Sequence, residues 1–263
     1  MAYASINGQN ICFEDSGGSG MPVLLAHGFL MDRSMFAAQV DALTPEFRVI
    51  TWDARGFGDT EFDGQPFSYW DLARDALGLL DHLGIERAVV GGMSQGGYLS
   101  LRAALTAPER IRALVLIDTQ AAAEDPALSG GYKQLLDTWA TQGPIDPIAQ
   151  TIAGIIINEP EENARWIARW RARPHQTIVE PGRCLLQRDD ISSRLGEIRC
   201  PALVIHGTAD TAIPMERMQA MANGLVDATV LEVPGAAHAA NLTHPQPVNA
   251  ALLPFLRKIA TTG

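Results

Sequence analysis

The sequence predicts an α/β protein with a doubly wound, mostly parallel sheet and an inserted helical cap. Short apolar runs recur along the chain and alternate with amphipathic stretches, as in a parallel sheet covered by helices on both faces. The alternation stops at about residue 121 and resumes at about residue 191. The runs that predict strands are 23–26, 49–52, 88–91, 114–117, 202–205 and 229–233.

Amphipathic stretches between these runs predict the helices that cover the sheet. They span 68–83, 95–107, a stretch from about 214, and 245–259. Ser68 followed by Asp71 resembles a capping box, and Pro108 ends the second helix. Strands that alternate with helices imply right-handed crossovers.

The segment 121–190 predicts several short helices, because helical spacing of Trp, Ile, Arg and Ala is interrupted by prolines. We therefore expect residues 1–120 and 191–263 to form one α/β core, with 121–190 as a helical cap over the site. The acidic residues of the cap, Glu124 among them, are expected on solvated faces.

Composition excludes several classes of function. The net charge of −10 disfavours nucleic acid and anionic membranes as partners. Cys12, Cys184 and Cys200 are too scattered for a zinc site or a disulfide framework. The sequence shows no phosphate-binding glycine loop, dinucleotide fingerprint or secretory signal. We expect a cytoplasmic monomer or homodimer without metal or cofactor, acting on a small molecule.

Gly92-Met93-Ser94-Gln95-Gly96 is the strongest chemical signal. It lies directly after a predicted strand and directly before a predicted helix, which is the context of a nucleophile elbow. Such a turn projects the serine hydroxyl from the carboxyl edge of the sheet, where open α/β folds bind ligands. Ser94 is therefore the predicted nucleophile.

A serine hydroxyl needs a base at neutral pH. Of the six histidines, His238 is favoured, because it lies in a loop of small residues after the last predicted strand. His244 is the remote alternative. The loop that carries His238 is expected to end at the same edge of the sheet as Ser94.

The imidazole needs an acceptor that fixes its tautomer. Asp210 follows the strand 202–205, and the order Ser–Asp–His is that of a nucleophile-elbow hydrolase. Asp118 follows the strand 114–117 and is the competing acid. Asp210 is preferred, and Asp118 stays open as the alternative.

Two backbone N–H groups are predicted to stabilise an oxyanion. One belongs to Gln95, directly after the nucleophile, and the other to Phe29 in the loop after the strand 23–26. Gly28 allows that loop to turn sharply. Because the donor is the backbone N–H of Gln95, replacing its side chain should lower activity less than replacing that of Ser94.

These motifs together resemble the α/β-hydrolase superfamily, and within it the group of small esterases, enol-lactonases and cofactor-free haloperoxidases. The resemblance covers almost the whole chain apart from the cap. It implies a supporting role for Asp53 and Arg55. Gln95 departs from many relatives, which carry Met there. Epoxide hydrolases and haloalkane dehalogenases of this fold use an aspartate nucleophile, so Ser94 argues against both. The motifs lie at 27–29, 53–58, 92–97, 207–210 and 235–238.

The expected reaction is cleavage of a carboxylic ester or lactone through an acyl-enzyme on Ser94. A perhydrolase or haloperoxidase is the first alternative, and a ligand receptor or lyase on the same fold is the second. An uncharged, moderately hydrophobic substrate is expected. The residues predicted to contact it are Phe29, Met93, Trp139, Ile155 and Trp166. For Trp139, Ile155 and Trp166, packing within the cap is the alternative.

Overall fold

Eight strands form one sheet in this computed structural model, which describes residues 1–262 (for Leu128, the backbone only). Their order across the sheet is β1-β2-β4-β3-β5-β6-β7-β8. β1 and β2 pair antiparallel with their neighbours, and all later pairs are parallel. The strands are β1 (Ala2–Ile6), β2 (Gln9–Asp15), β3 (Pro22–Ala26), β4 (Arg48–Trp52), β5 (Ala88–Met93), β6 (Ile111–Ile117), β7 (Ala202–Gly207) and β8 (Ala228–Val233).

The helices of the described residues flank this sheet, and four of them lie between β6 and β7. The capping box at Ser68 is present, with the Asp71 side chain bonded to the Ser68 backbone. The helices are α1 (Ala37–Leu43), α2 (Tyr69–His82), α3 (Gln95–Thr106), α4 (Pro126–Gln142), α5 (Asp146–Ile156), α6 (Pro160–Arg171), α7 (Val179–Leu186), α8 (Met215–Gly224), α9 (Ala240–Thr243) and α10 (Pro245–Thr262).

The predicted α/β class is confirmed. Every residue of β5 and β7 is buried, which explains the unbroken apolar runs at these positions. The antiparallel β1–β2 hairpin and the short helix α1 are additions that the apolar runs did not predict. Within residues 1–262, no helix combines the length and apolar character that a membrane crossing requires.

The strand order locates the crevice in which open sheets bind ligands. The chain passes from β3 outward to β4, then returns to place β5 on the other side of β3. This reversal is a topological switch point, and ligands bind at the carboxyl ends of the two strands that flank it. Phe29 follows β3 and Ser94 follows β5, so both predicted residues lie at this point.

Candidate active site

Ser94 occupies a strained turn between β5 and α3. Its φ of 52° and ψ of −112° are unusual for a residue with a side chain. A Cβ added at Gly92 would lie 2.1 Å from the carbonyl oxygen of Ala26, and one at Gly96 would lie 1.9 Å from the same atom. Both glycines are therefore required for the turn to approach β3 this closely.

Ser94, His238 and Asp210 form a hydrogen-bonded series. His238 Nε2 lies 2.9 Å from Ser94 Oγ, and His238 Nδ1 lies 2.7 Å from Asp210 Oδ2. The other carboxylate oxygen of Asp210 accepts the backbone N–H groups of Ala212 and Ile213, at 2.8 and 3.0 Å. These two bonds fix the carboxylate, so Nδ1–H donates to Asp210 and Nε2 is left to accept from the serine hydroxyl.

The electrostatics of the pair favour a basic imidazole. Burial alone disfavours the imidazolium, but the adjacent Asp210 carboxylate outweighs it and raises the pKa of His238. Burial likewise opposes the charge of Asp210, and the imidazole with its hydrogen bonds still lowers the pKa of Asp210. The carboxylate is thus ionised wherever His238 can act as a base.

Asp118 is close to this series but makes no hydrogen bond to His238 in the described part of the chain. Its two carboxyl oxygens accept the backbone N–H groups of Gly207, at 2.8 Å, and Ala240, at 2.9 Å. Burial and the nearby Asp210 carboxylate raise the pKa of Asp118 to about 8. Asp118 therefore connects the end of β7 to the start of α9, and Asp210 is the carboxyl that contacts the imidazole.

His206 completes the buried cluster below the site. Its Nε2 lies 3.0 Å from the carbonyl oxygen of Ile213, and its Nδ1 has no partner within the described residues, 3.6 Å from Asp118. Burial lowers the pKa of His206, so the ring is neutral. Asp118, His206 and Asp210 have donor atoms close enough for a metal ion. However, the four carboxyl oxygens already accept hydrogen bonds, which argues against this set as a metal centre.

The predicted oxyanion donors are the backbone N–H groups of Phe29, in the loop after β3, and of Gln95, the first residue of α3. Neither the amide of Phe29 nor that of Gln95 has an acceptor among residues 1–262. An inserted helix, α6, holds the loop that contains Phe29, because Trp170 Nε1 donates to the carbonyl oxygen of Leu30 at 2.7 Å. These free amides are the pair that the sequence predicted as oxyanion donors.

A cavity lies between the sheet edge and the inserted helices, with Ser94 and His238 in its lining. Three of the predicted substrate contacts, Phe29, Met93 and Ile155, line it. Its other apolar lining includes Leu30, Ile152 and Ile156. The cavity is thus largely apolar next to the serine hydroxyl.

Trp139 and Trp166, two of the predicted substrate contacts, do not line the cavity beside Ser94. Trp139 packs edge-on against Trp170, with ring centroids 5.6 Å apart. Trp166 is buried beneath the guanidinium of Arg169, which lies 4.9 Å from its ring centroid. Both are packing residues within the insertion, since helical spacing does not reveal which partner a face covers.

The polar part of the cavity lining was not predicted from the sequence. Tyr98, Gln120, Glu124, Tyr132 and Arg188 all line it. The expectation that Glu124 lies on a solvated face is wrong, because its carboxylate pairs with the buried Arg188 guanidinium at 2.8 Å. The one signal available was the position of Arg188, directly between the last inserted helix and the return to the sheet.

A family model described as the alpha/beta hydrolase fold matches residues 21–245. The chain belongs to the α/β-hydrolase family. This match includes Ser94, Asp210 and His238, and it confirms the resemblance seen in the sequence motifs.

Several similar proteins are named as hydrolases, and one of Synechocystis is named as a non-heme chloroperoxidase. A protein of Azorhizobium caulinodans named carbamate hydrolase RutD is 31% identical, over 98% of this chain and 99% of its own. A thermophilic esterase from Thermogutta terrifontis superposes with a TM-score of 0.90 at 30% identity, covering 98% of each chain. The enol-lactonase from Burkholderia xenovorans LB400 superposes with a TM-score of 0.89 at 26% identity, covering 97% of this chain and 99% of its own.

In this α/β hydrolase, Asp53 and Arg55 form ion pairs beside the site. Asp53 pairs with Arg33 and also accepts its backbone N–H at 2.8 Å. Arg55 Nε and Nη2 donate to the two carboxylate oxygens of Asp75, at 2.6 and 2.8 Å, and Asp75 is fully buried. Neither Asp53 nor Arg55 lines the cavity that contains Ser94, which agrees with a supporting position.

Proposed function

We propose that this α/β hydrolase cleaves a carboxylic ester or lactone through an acyl-enzyme on Ser94. The observation that carries the proposal is the series Ser94–His238–Asp210, with contacts of 2.9 and 2.7 Å. A hydroxyl, an imidazole and a carboxylate at these distances can activate the hydroxyl as a nucleophile.

In the proposed reaction, His238 Nε2 accepts the proton of Ser94 as Oγ attacks the carbonyl carbon. The oxyanion that forms is stabilised by the backbone N–H groups of Phe29 and Gln95, each worth about 3 kcal/mol in comparable sites. His238 then protonates the leaving alkoxide, and the acyl group remains on Ser94. A water molecule, deprotonated by the same imidazole, releases the acid and restores the hydroxyl.

Asp210 holds the ring in the productive tautomer throughout. It accepts Nδ1–H while the bonds from Ala212 and Ile213 prevent it from rotating. It also stabilises the imidazolium that exists between the two proton transfers. We therefore assign the acid of the triad to Asp210, and a connecting position to Asp118.

The segment 121–190 is proposed as a cap that closes the cavity and limits substrate size. Support comes from Leu135, Leu136 and Ile155, which belong to inserted helices and line the same cavity as Ser94. The apolar lining favours an uncharged, moderately hydrophobic acyl group. The esterase and enol-lactonase names of similar proteins agree with ester or lactone chemistry.

A turnover screen across aryl esters, lactones and thioesters tests this function. The native enzyme should hydrolyse at least one class, and Ser94→Ala and His238→Ala should lose that activity while remaining folded. Ser100→Ala is the matched control, because Ser100 lies on α3, which begins directly after Ser94, and its hydroxyl donates to the carbonyl oxygen of Gly96.

Three outcomes would contradict the proposal. Turnover at the native rate in Ser94→Ala would show that Ser94 is not the nucleophile. Halogenation that requires peroxide and acetate, without ester turnover, would instead indicate a perhydrolase. A single burst with no further turnover would favour a ligand receptor.

A further inference from the structure

The cavity lining includes five polar residues in addition to Ser94 and His238. We call this set the polar wall, and it consists of Tyr98, Gln120, Glu124, Tyr132 and Arg188. Gln120 is only 3% exposed and Arg188 only 6%. A charged side chain this deeply buried beside an apolar cavity is unusual unless it is paired or binds a ligand.

The wall lies close to the serine hydroxyl. Tyr98 follows Ser94 by one turn of α3, a rise of about 6 Å along the helix axis. The Arg188 guanidinium stacks over the Tyr98 ring, 4.6 Å from its centroid. A substrate whose carbonyl is at Ser94 would therefore present a group a few bonds away to this wall.

The acceptors of the wall are already occupied. One Glu124 oxygen accepts Arg188 Nη1 at 2.8 Å, and the other accepts the backbone N–H of Asp125 at 3.1 Å. Gln120 Oε1 accepts Arg217 Nη1 at 3.0 Å. Since both side chains have their oxygens engaged, they offer a ligand no strong free acceptor.

The donors of the wall are not all occupied. Arg188 uses Nε and Nη1 to bond the carbonyl oxygen of Ala122 and the Glu124 carboxylate. Its Nη2, and Nε2 of Gln120, have no acceptor within residues 1–262. The Tyr98 and Tyr132 hydroxyls add two further groups able to donate. The wall is therefore complementary to a group that accepts hydrogen bonds.

The charge of the wall is already balanced. Arg188 is neutralised by Glu124, and the neighbouring Arg217 pairs with Asp125 at 3.2 Å. A substrate carboxylate placed here would add an uncompensated negative charge next to Glu124, beside the buried Arg188. Like charges at short range in such a site repel strongly, and burial of an unbalanced ion is costly. A neutral acceptor avoids both costs.

We propose that the polar wall selects substrates that carry a second, uncharged acceptor, such as a ketone, amide or ester carbonyl, remote from the scissile bond. Arg188 Nη2 and Gln120 Nε2 donate to that oxygen. This rests on the proposed function, and it narrows the substrate class from apolar esters to uncharged esters or lactones with a further carbonyl. Glu124 acts as a specificity determinant, because its charge excludes carboxylates.

Three aryl esters with the same leaving group test the proposal: the hexanoate, the 5-oxohexanoate and the half-ester of pentanedioate. Rates without enzyme are subtracted. The native enzyme should favour the 5-oxohexanoate over the hexanoate by at least about tenfold in kcat/KM, as expected for the hydrogen bond from the charged Arg188 guanidinium alone. The half-ester should be the poorest of the three.

Two variants change the ranking in different directions. Glu124→Gln removes the balancing charge while keeping an oxygen for Arg188, so the half-ester should gain about tenfold relative to the hexanoate. Gln120→Met removes a donor, so the preference for 5-oxohexanoate should fall. Gln187→Met is the control: Gln187 is exposed, does not line the cavity, and should leave all ratios unchanged.

A native preference for the half-ester would overturn the proposal, as would equal rates for all three esters. Either result would leave the proposed ester hydrolysis intact, because all three would still be cleaved through Ser94. An unchanged ratio of half-ester to hexanoate turnover in Glu124→Gln would also overturn the assignment of Glu124. Absence of turnover with all three esters would also overturn this inference. The proposed function itself would be removed only if the screen of aryl esters, lactones and thioesters showed no turnover either.

Discussion

Asp210→Asn is expected to abolish most ester turnover through a change of tautomer. Asp210 Oδ1 accepts the N–H groups of Ala212 and Ile213, so an asparagine keeps its oxygen there and directs its NH₂ group at His238 Nδ1. An amide nitrogen only donates, so the ring proton must move to Nε2. Nε2–H then faces Ser94 Oγ and cannot accept its proton.

The same tautomer change lowers kcat by about 10⁴-fold in a serine protease, which corresponds to about 5.5 kcal/mol of transition-state stabilisation. We expect a loss of that order for this enzyme, because the amide orientation is fixed by two hydrogen bonds. Initial rates with a single aryl ester measure it. Thermal unfolding of the variant should show a folded protein, since the substitution preserves shape and both backbone contacts.

Asp118→Asn is the matched control for this prediction. Asp118 bonds only the backbone N–H groups of Gly207 and Ala240, and an amide can accept just one of them. We expect kcat within about tenfold of native, and a free energy of unfolding lower by about 1–3 kcal/mol. Equal losses of activity in the two variants, or an Asp210→Asn enzyme within tenfold of native, would refute the reasoning.

Three further predictions follow from the site. Asp210 raises the pKa of His238 above its usual 6.5, and only a neutral imidazole accepts a proton. The value of kcat/KM should therefore fall with decreasing pH and reach half its maximum above pH 6.5. A midpoint below pH 6.5 would contradict this. Gly96→Ala places a Cβ 1.9 Å from the carbonyl oxygen of Ala26 and should lower the free energy of unfolding, measured in urea, by about 1–3 kcal/mol or more. Gly130→Ala is its control and should be neutral or stabilising, because Gly130 lies in α4 with open space around it. Gln95→Ala keeps the backbone N–H and should retain kcat within about tenfold; a loss as large as that of Ser94→Ala would show that the side chain itself is needed.

Ser94, His238 and Asp210 could be predicted because each follows a strand of a parallel sheet. The carboxyl ends of such strands meet at one edge, so residues far apart in the chain converge there. The choice between Asp210 and Asp118 could not be made this way. Both follow adjacent central strands, and the turn at Asp118, with a φ of 46°, directs its carboxyl to backbone N–H groups instead of the imidazole.

The missed hairpin had a local signal. Asn7-Gly8 joins β1 to β2 with positive φ at both residues, 48° and 81°. This is the geometry of a type I′ turn, for which Asn-Gly is the preferred sequence. The edge strand β1 escaped detection because it alternates exposed and buried residues and has no continuous apolar run.

The cavity lining was the least predictable part of the site. Trp139 and Trp166 were expected to contact substrate because they are large and apolar, yet they pack inside the insertion. Arg188 was missed because its burial depends on Glu124 and Tyr98, which are far away in sequence. Pairings between an insertion and its core depend on tertiary packing, which hydrophobic periodicity does not encode.

Rapid acid quench of the native enzyme during turnover of an aryl ester, followed by mass analysis of its peptides, shows whether Ser94 carries the acyl group. We expect an added acyl mass on the peptide that contains Ser94, and none in Ser94→Ala. Steady turnover with Ser94 never acylated, or an acyl group found only on another residue, would contradict it.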